Sequence, residues 1–113
     1  MEEVNCMKEH SMKLQSTPFE KIKKEQKTIE MRLYDEKRRQ IAVGDTITFR
    51  CEDECVTVRV RALHRFPDFP ALYAAMPHSM LGSDDPQDME QYYSREEQQR
   101  YGVLGIEIER ITI

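Results

Sequence analysis

The chain has 113 residues, 39% of them hydrophobic and 34% charged, with a formal net charge of −4. That length suits one domain with one real core and needs no disulfide or metal staple. No run approaches the roughly 20 apolar residues of a membrane span, and no basic-then-apolar leader opens the chain. The three cysteines, Cys6, Cys51 and Cys55, are an odd and sparse set, which suits free thiols in a reducing, cytoplasmic setting.

The first eleven residues carry no clear pattern and read as an N-terminal extension to a domain spanning 12–113. A short strand is expected from Met12 to Gln15. Thr17-Pro18-Phe19-Glu20 then predicts a helix start, with Thr17 as cap and Glu20 closing a capping box. Phe19 and Ile22 would share its buried face. From Lys27 to Leu33 the chain alternates: Ile29, Met31 and Leu33 point one way, Thr28, Glu30 and Arg32 the other. A charged loop with a helical turn follows over Asp35 to Gln40, and Val43-Gly44-Asp45 turns the chain into a strand at Thr46 to Arg50.

Val56, Val58 and Val60 alternate with Thr57, Arg59 and Arg61, so a hairpin is expected around Glu52-Asp53-Glu54. Cys51 and Cys55 flank its tip, where they either face each other or stand as free surface thiols; a lone CxxxC is a poor zinc signal, and no metal is expected. Asp68 is placed to cap a helix carrying Leu72, Ala75 and Met76. Residues 78–85 read as loop. Asp85-Pro86 and Ser94-Arg95-Glu96-Glu97 both read as helix starts, the second a capping box. Along Gly102 to Ile113 a strand is expected in which Ile111 and Ile113 break the parity of Leu104, Ile106 and Ile108, predicting a bulge near Glu109-Arg110. The order of elements gives an α+β plan: a mostly antiparallel β-barrel with short helices beside it.

Charge is uneven along the chain. Residues 21–39 hold eight Lys or Arg against four acidic residues; residues 84–100 hold six acidic residues against two arginines. A basic face attracts phosphate even on an acidic protein, because screening limits distant charges to a reach of about 8 Å. A solvated charge run is the plainer alternative.

The segment Glu25-Gln26-Lys27-Thr28-Ile29-Glu30-Met31-Arg32 resembles the signature of the ASCH domain family, Gly-x-Lys-x-x-Glu-x-Arg, and Val43-Gly44-Asp45 and the helix opened by Pro18-Phe19 also look like that family. The similarity runs from Met12 to the end of the chain. Glu25 departs from the pattern, standing where the family has glycine. The resemblance implies a PUA-like barrel, and RNA or a nucleotide-like ligand as partner, in a cleft holding the signature residues. It also brings an alternative activity, hydrolysis of RNA or of N4-acylated cytidine. In the acylcytidine branch the motif lysine works with a threonine three residues on, a place that Glu30 occupies here.

Glu30 and Arg32 lie two apart on one strand, about 7 Å between α-carbons on one face. Arg32 offers a planar fork suited to phosphate or a base edge. Glu30 suits a base, an acceptor from an exocyclic amine, or an orienting partner of Arg32. Lys27 either snorkels, contacts an anion, or is desolvated with a lowered pKa, in which case Lys27 and Glu30 form an acid/base pair. Thr28 belongs to the same stretch, and Arg38, Arg39, Arg59, Arg61 and Arg65 are placed to extend a phosphate-binding rim. Phe66, Phe69 and Tyr73 either stack on bases or pack the core. Tyr92, Tyr93 and Tyr101 either wall a cleft or pack. The competing reading makes the charged triplet a structural ion pair in a protein-interaction domain. His64 and His78 fit no metal spacing, and no P-loop, dinucleotide glycine pattern or nucleophile elbow is present, so no cofactor is expected.

Overall fold

A computed structural model describes residues 7–111; Cys6, the first part of the expected extension and Ile113 lie outside them. Five strands, β1 (Glu9–Lys13), β2 (Ile29–Leu33), β3 (Thr46–Cys51), β4 (Glu54–Phe66) and β5 (Val103–Arg110), form one sheet in the order β1-β3-β4-β5-β2. The β1–β3 pair is parallel and the other three pairs are antiparallel. The sheet is thus mixed, curled into a half-barrel, and mostly antiparallel as expected. Five short helices accompany it: α1 (Ser16–Lys23), α2 (Phe69–Ala75), α3 (His78–Leu81), α4 (Gln87–Glu90) and α5 (Arg95–Tyr101).

The sheet separates two apolar clusters. On the concave side Ile47, Phe49, Val58, Leu104 and Ile106 pack with Phe19 and Ile22 of α1. On the other side Ile29, Met31, Leu33 and Val103 pack under Phe69, Leu72 and Tyr73 of α2 and Leu81 of α3. Phe69 and Tyr73 are therefore core residues. Because helices cover one face of β2 and the half-barrel interior takes the other, all five of its residues are buried, and its charged side chains have been withdrawn from bulk water.

The caps expected at Asp68 and Ser94 are both formed. Asp68 accepts from the Ala71 amide at 2.9 Å and caps α2. Ser94 and Glu97 close a reciprocal capping box on α5. The charged loop after β2 contains one 3-10 turn, Arg38–Gln40. The β3–β4 hairpin turns at Glu52, whose φ is 56°.

Elsewhere the structure corrects the reading. Strand β1 occupies Glu9–Lys13 rather than 12–15, so residues 9–11 of the expected extension belong to the sheet. What holds them there is distant in sequence: Asp45 accepts from the Lys8 amide at 3.1 Å and contacts His10 Nε2 at 2.8 Å. Helix α1 begins at Ser16 after an extended Gln15 with no side-chain cap, so Thr17 is not the cap and Pro18 falls within the first turn, where its missing N–H leaves nothing unsatisfied. Residues 78–81 are a short helix, not loop. No bulge occurs at Glu109-Arg110. Strand β5 simply ends at Arg110, and the irregularity lies on its partner, between Val60 and Ala62 of β4. That extra residue switches the inward parity from Val56, Val58 and Val60 to Leu63, letting a 13-residue strand follow the curvature. Cys51 pairs with Glu54 and Cys55 with Arg50, so alternation places the two thiols on opposite faces.

The departure at Glu25 is informative. Helix α1 ends in a Schellman motif: the Gln26 amide donates to the Lys21 carbonyl at 2.7 Å and the Glu25 amide to the Ile22 carbonyl at 3.0 Å. Glu25 sits at the left-handed position with φ of 60°. The turn is made all the same, with a glutamate carrying the steric cost of the left-handed position.

Candidate functional site

The turn after α1 delivers Lys27, and β2 delivers Glu30 and Arg32. Across the sheet Glu30 pairs with Ile106 and Arg32 with Leu104, both members of the inner cluster, so alternation aims the two charged side chains into the half-barrel. Lys27 joins them although it shares the parity of Ile29, because it precedes the strand and alternation does not govern it. The three side chains make one chain of contacts. Arg32 Nε donates to Glu30 Oε2 at 2.7 Å, and Lys27 Nζ lies 3.6 Å from Glu30 Oε1. Residues 27, 30 and 32 are only 5%, 4% and 9% exposed.

Backbone carbonyls complete the shell. Lys27 Nζ donates to the Leu81 carbonyl at 2.9 Å, and Arg32 Nη2 to the Lys13 carbonyl at 2.9 Å. Lys21 Nζ donates to the next carbonyl along, that of Gly82, at 2.7 Å. Gly82 has φ of 72°, and a Cβ there would meet Lys27 Cβ at 3.2 Å. Glycine therefore ends α3 and lets its last carbonyls approach the two lysines.

One carboxylate, that of Glu30, faces the amine of Lys27 and the guanidinium of Arg32 in a poorly hydrated place. Burial lowers the Lys27 pKa from the ordinary lysine value, against the pull of Glu30. Burial is the largest influence on the Arg32 pKa and acts to lower it, but Glu30 and Tyr93 together outweigh it, so the net shift is upward and the guanidinium stays charged. Tyr93 closes over this group: burial pushes its hydroxyl pKa up, while Arg32 pulls it down.

Beside the triplet lies a cleft of about 760 Å³, bounded by the β1–α1 connection, β2, the hairpin tip and the segment after α3. Lys27, Glu30 and Arg32 line it together with Lys13, Lys21, Asp88, Tyr92 and Tyr93. Cys51 is on the wall, but desolvation and nearby Glu52, Glu20 and Glu54 raise its thiol pKa, which makes it a poor nucleophile.

Other expected site residues fall elsewhere. Thr28 is engaged through its backbone, its amide donating to the Met80 carbonyl at 2.9 Å and its carbonyl accepting from the Ile108 amide at 2.9 Å; it is not part of the cleft wall. Arg38 forms an ion pair with Asp35 at 3.2 Å. Arg65 stands in a separate groove with Tyr34, Phe66 and Tyr101. Arg61 pairs with Glu109, and Arg59 donates to the Gly44 carbonyl. His64 meets Glu107 at 3.1 Å and His78 meets the Tyr73 carbonyl at 2.8 Å. Among the described residues no cluster of His, Cys, Asp or Glu could hold a metal ion, and no helix is long and apolar enough to cross a membrane. Of the tyrosines that could pack or wall a cleft, Tyr92 and Tyr93 do the latter. The approach of Tyr93 to Glu30 and Arg32 carries no local signal, since the two segments are distant in sequence and meet only in the fold.

The ASCH domain model matches residues 12–112. The crystal structure of the hypothetical protein PH0355 is similar, with a TM-score of 0.82 and 35% identity over 91% of this chain and 99% of that one. The solution NMR structure of protein PF0455 from Pyrococcus furiosus is similar as well, with a TM-score of 0.74 and 37% identity over 93% of this chain and 99% of that one. No curated protein matches the chain. A family match over nearly the whole length, on a chain that keeps Lys27, Glu30 and Arg32 in one buried cluster, leads to one conclusion: the chain belongs to the ASCH domain family.

Proposed function

We propose that the protein binds RNA, or a nucleotide-like ligand, in the cleft beside Lys27, Glu30 and Arg32. The observation that carries this reading is the placement of Lys27 and Arg32 around a single buried carboxylate on the cleft wall. An uncompensated buried cation is costly, and a phosphate entering the cleft would offset it. A cleft of about 760 Å³ is within the usual range for small-ligand sites, roughly 300–1,000 Å³. Tyr92 and Tyr93 on its wall supply ring faces on which a base can stack. ASCH domains are generally associated with RNA, which supports the same partner.

The test is fluorescence anisotropy with a labelled single-stranded RNA and calorimetry with cytidine 5′-monophosphate. Affinity should fall steeply with salt, and Arg32→Lys, which keeps the charge but loses the fork, should weaken both ligands. Absence of binding, or binding indifferent to salt and to Arg32→Lys, would overturn the proposal.

A hydrolase acting on RNA or on N4-acylated cytidine is the second reading, favoured by one observation: the lowered pKa of Lys27 beside a carboxylate. Product release from N4-acetylcytidine that disappears in Lys27→Met would support it.

A further inference from the structure

Two arginines outside the cleft share one aromatic ring. The Arg39 guanidinium lies 4.5 Å from the centroid of Tyr34, and the Arg65 guanidinium lies 4.2 Å from it. Stacking on a ring fixes the plane of a guanidinium and leaves its N–H edge free to donate. Both arginines are exposed. Among the described residues neither has a carboxylate partner, whereas Arg32, Arg38, Arg61 and Arg95 each have one. Of the two acidic residues that follow Tyr34, Asp35 is engaged by Arg38, and Glu36 forms no ion pair with either arginine. Two like charges are therefore held close together by a ring and not by an anion of the protein.

This stack adjoins the cleft. Arg65 and Arg32 both pair with Leu104, from opposite sides of β5, and cross-strand partners share a face. Tyr34 follows directly on β2 and packs against the same inner cluster. Beside the stack runs a groove of about 370 Å³ lined by Tyr34, Arg65, Phe66, Pro67 and Tyr101. Cations next to ring surfaces, on the same sheet face as Arg32 and one strand beyond β5, are what a flexible strand of nucleotides requires.

We infer that Arg39 and Arg65, stacked on Tyr34, clamp the phosphate backbone of a single-stranded RNA whose neighbouring nucleotide occupies the cleft. The inference rests on the proposed cleft ligand and adds that this ligand is an oligonucleotide. By this assignment the clamp holds backbone beyond the nucleotide in the cleft, which a mononucleotide lacks.

The experiment compares a labelled uridine octanucleotide with cytidine 5′-monophosphate on the full chain. Arg39→Gln with Arg65→Gln should weaken the octanucleotide at least tenfold and leave the mononucleotide unchanged. The slope of log affinity against log salt should become shallower by about 1.4, the value for two phosphate contacts on a single strand. Tyr34→Leu should weaken the octanucleotide although both arginines remain, and Tyr34→Phe should not. Wild-type affinity and slope in the double variant would overturn the clamp, as would a lowered melting temperature with no loss of binding. Equal displacement of the octanucleotide by poly-L-glutamate would overturn the RNA assignment. If Arg32→Lys weakens both probes and the double variant neither, the clamp alone fails; if the wild type binds neither probe, both readings fail.

Discussion

Arg32, on one edge strand of the sheet, donates through Nη2 to the carbonyl of Lys13, on the other edge strand, at 2.9 Å. One guanidinium thus spans the seam of the half-barrel while its Nε holds Glu30. The candidate binding group is also a structural tie.

Removing Glu30 should therefore cost stability as well as function. Glu30→Ala leaves the charges of Lys27 and Arg32 buried without their carboxylate, and breaking a buried pair in this way costs about 3–5 kcal/mol. Urea denaturation measures it; a cost below about 1 kcal/mol would show that water reaches the pair freely.

Glu25→Gly should act in the opposite sense. Glu25 is held at φ of 60°, a conformation that costs a residue with a Cβ roughly 1–2 kcal/mol, while glycine adds unfolded-state entropy of about 0.5–1 kcal/mol. The expected net gain is about 0.5–1 kcal/mol, read as a higher melting temperature in thermal denaturation.

The fold's acid sensitivity should centre on Asp45. Burial acts to raise its carboxyl pKa, but His10 and the amides of Ala42 and Lys8 outweigh it, and the net shift is downward. A carboxyl held below its unfolded value stabilises the fold fully above that value, about 3.9, and the contribution is lost as pH falls through the folded value. Asp45→Asn should be less stable than wild type at neutral pH, and the gap should narrow as the pH is taken below about 3.9. Urea midpoints across that range test it.

Anion binding in the cleft should weaken in alkali before an ordinary lysine would titrate. Lys27 is the protonated partner of the proposed phosphate, and its pKa is lowered by burial; as pH rises through that value the charge is lost and affinity falls. Calorimetry with cytidine 5′-monophosphate from neutral pH into the alkaline range should show the decline, and Lys27→Met should be weak throughout and flat with pH.

How much of this is legible in the sequence depends on how local each signal is. The caps at Asp68 and Ser94 and the hairpin at Glu52 are written within a few residues, and the fold keeps all three. The shared face of Glu30 and Arg32 follows from strand alternation. Contacts that close over long separations leave no such trace: Asp45 fixing β1, Leu81 and Lys13 supplying carbonyls to the triplet, and Arg39 and Arg65 meeting on Tyr34. The parity break after Ile108 is visible, but a strand's end produces it equally well, and the bulge sits on β4, where Arg61 reads as one more outward residue.

Strand β2, buried at all five positions, has a consequence for how this protein can change over time. A strand with no exposed residue has no neutral sites, so substitutions that would retune Glu30 or Arg32 must also survive a test of folding. Variation in what the domain recognises is therefore expected to accumulate on the rim, at positions such as Tyr92 or Arg39, while the centre stays fixed.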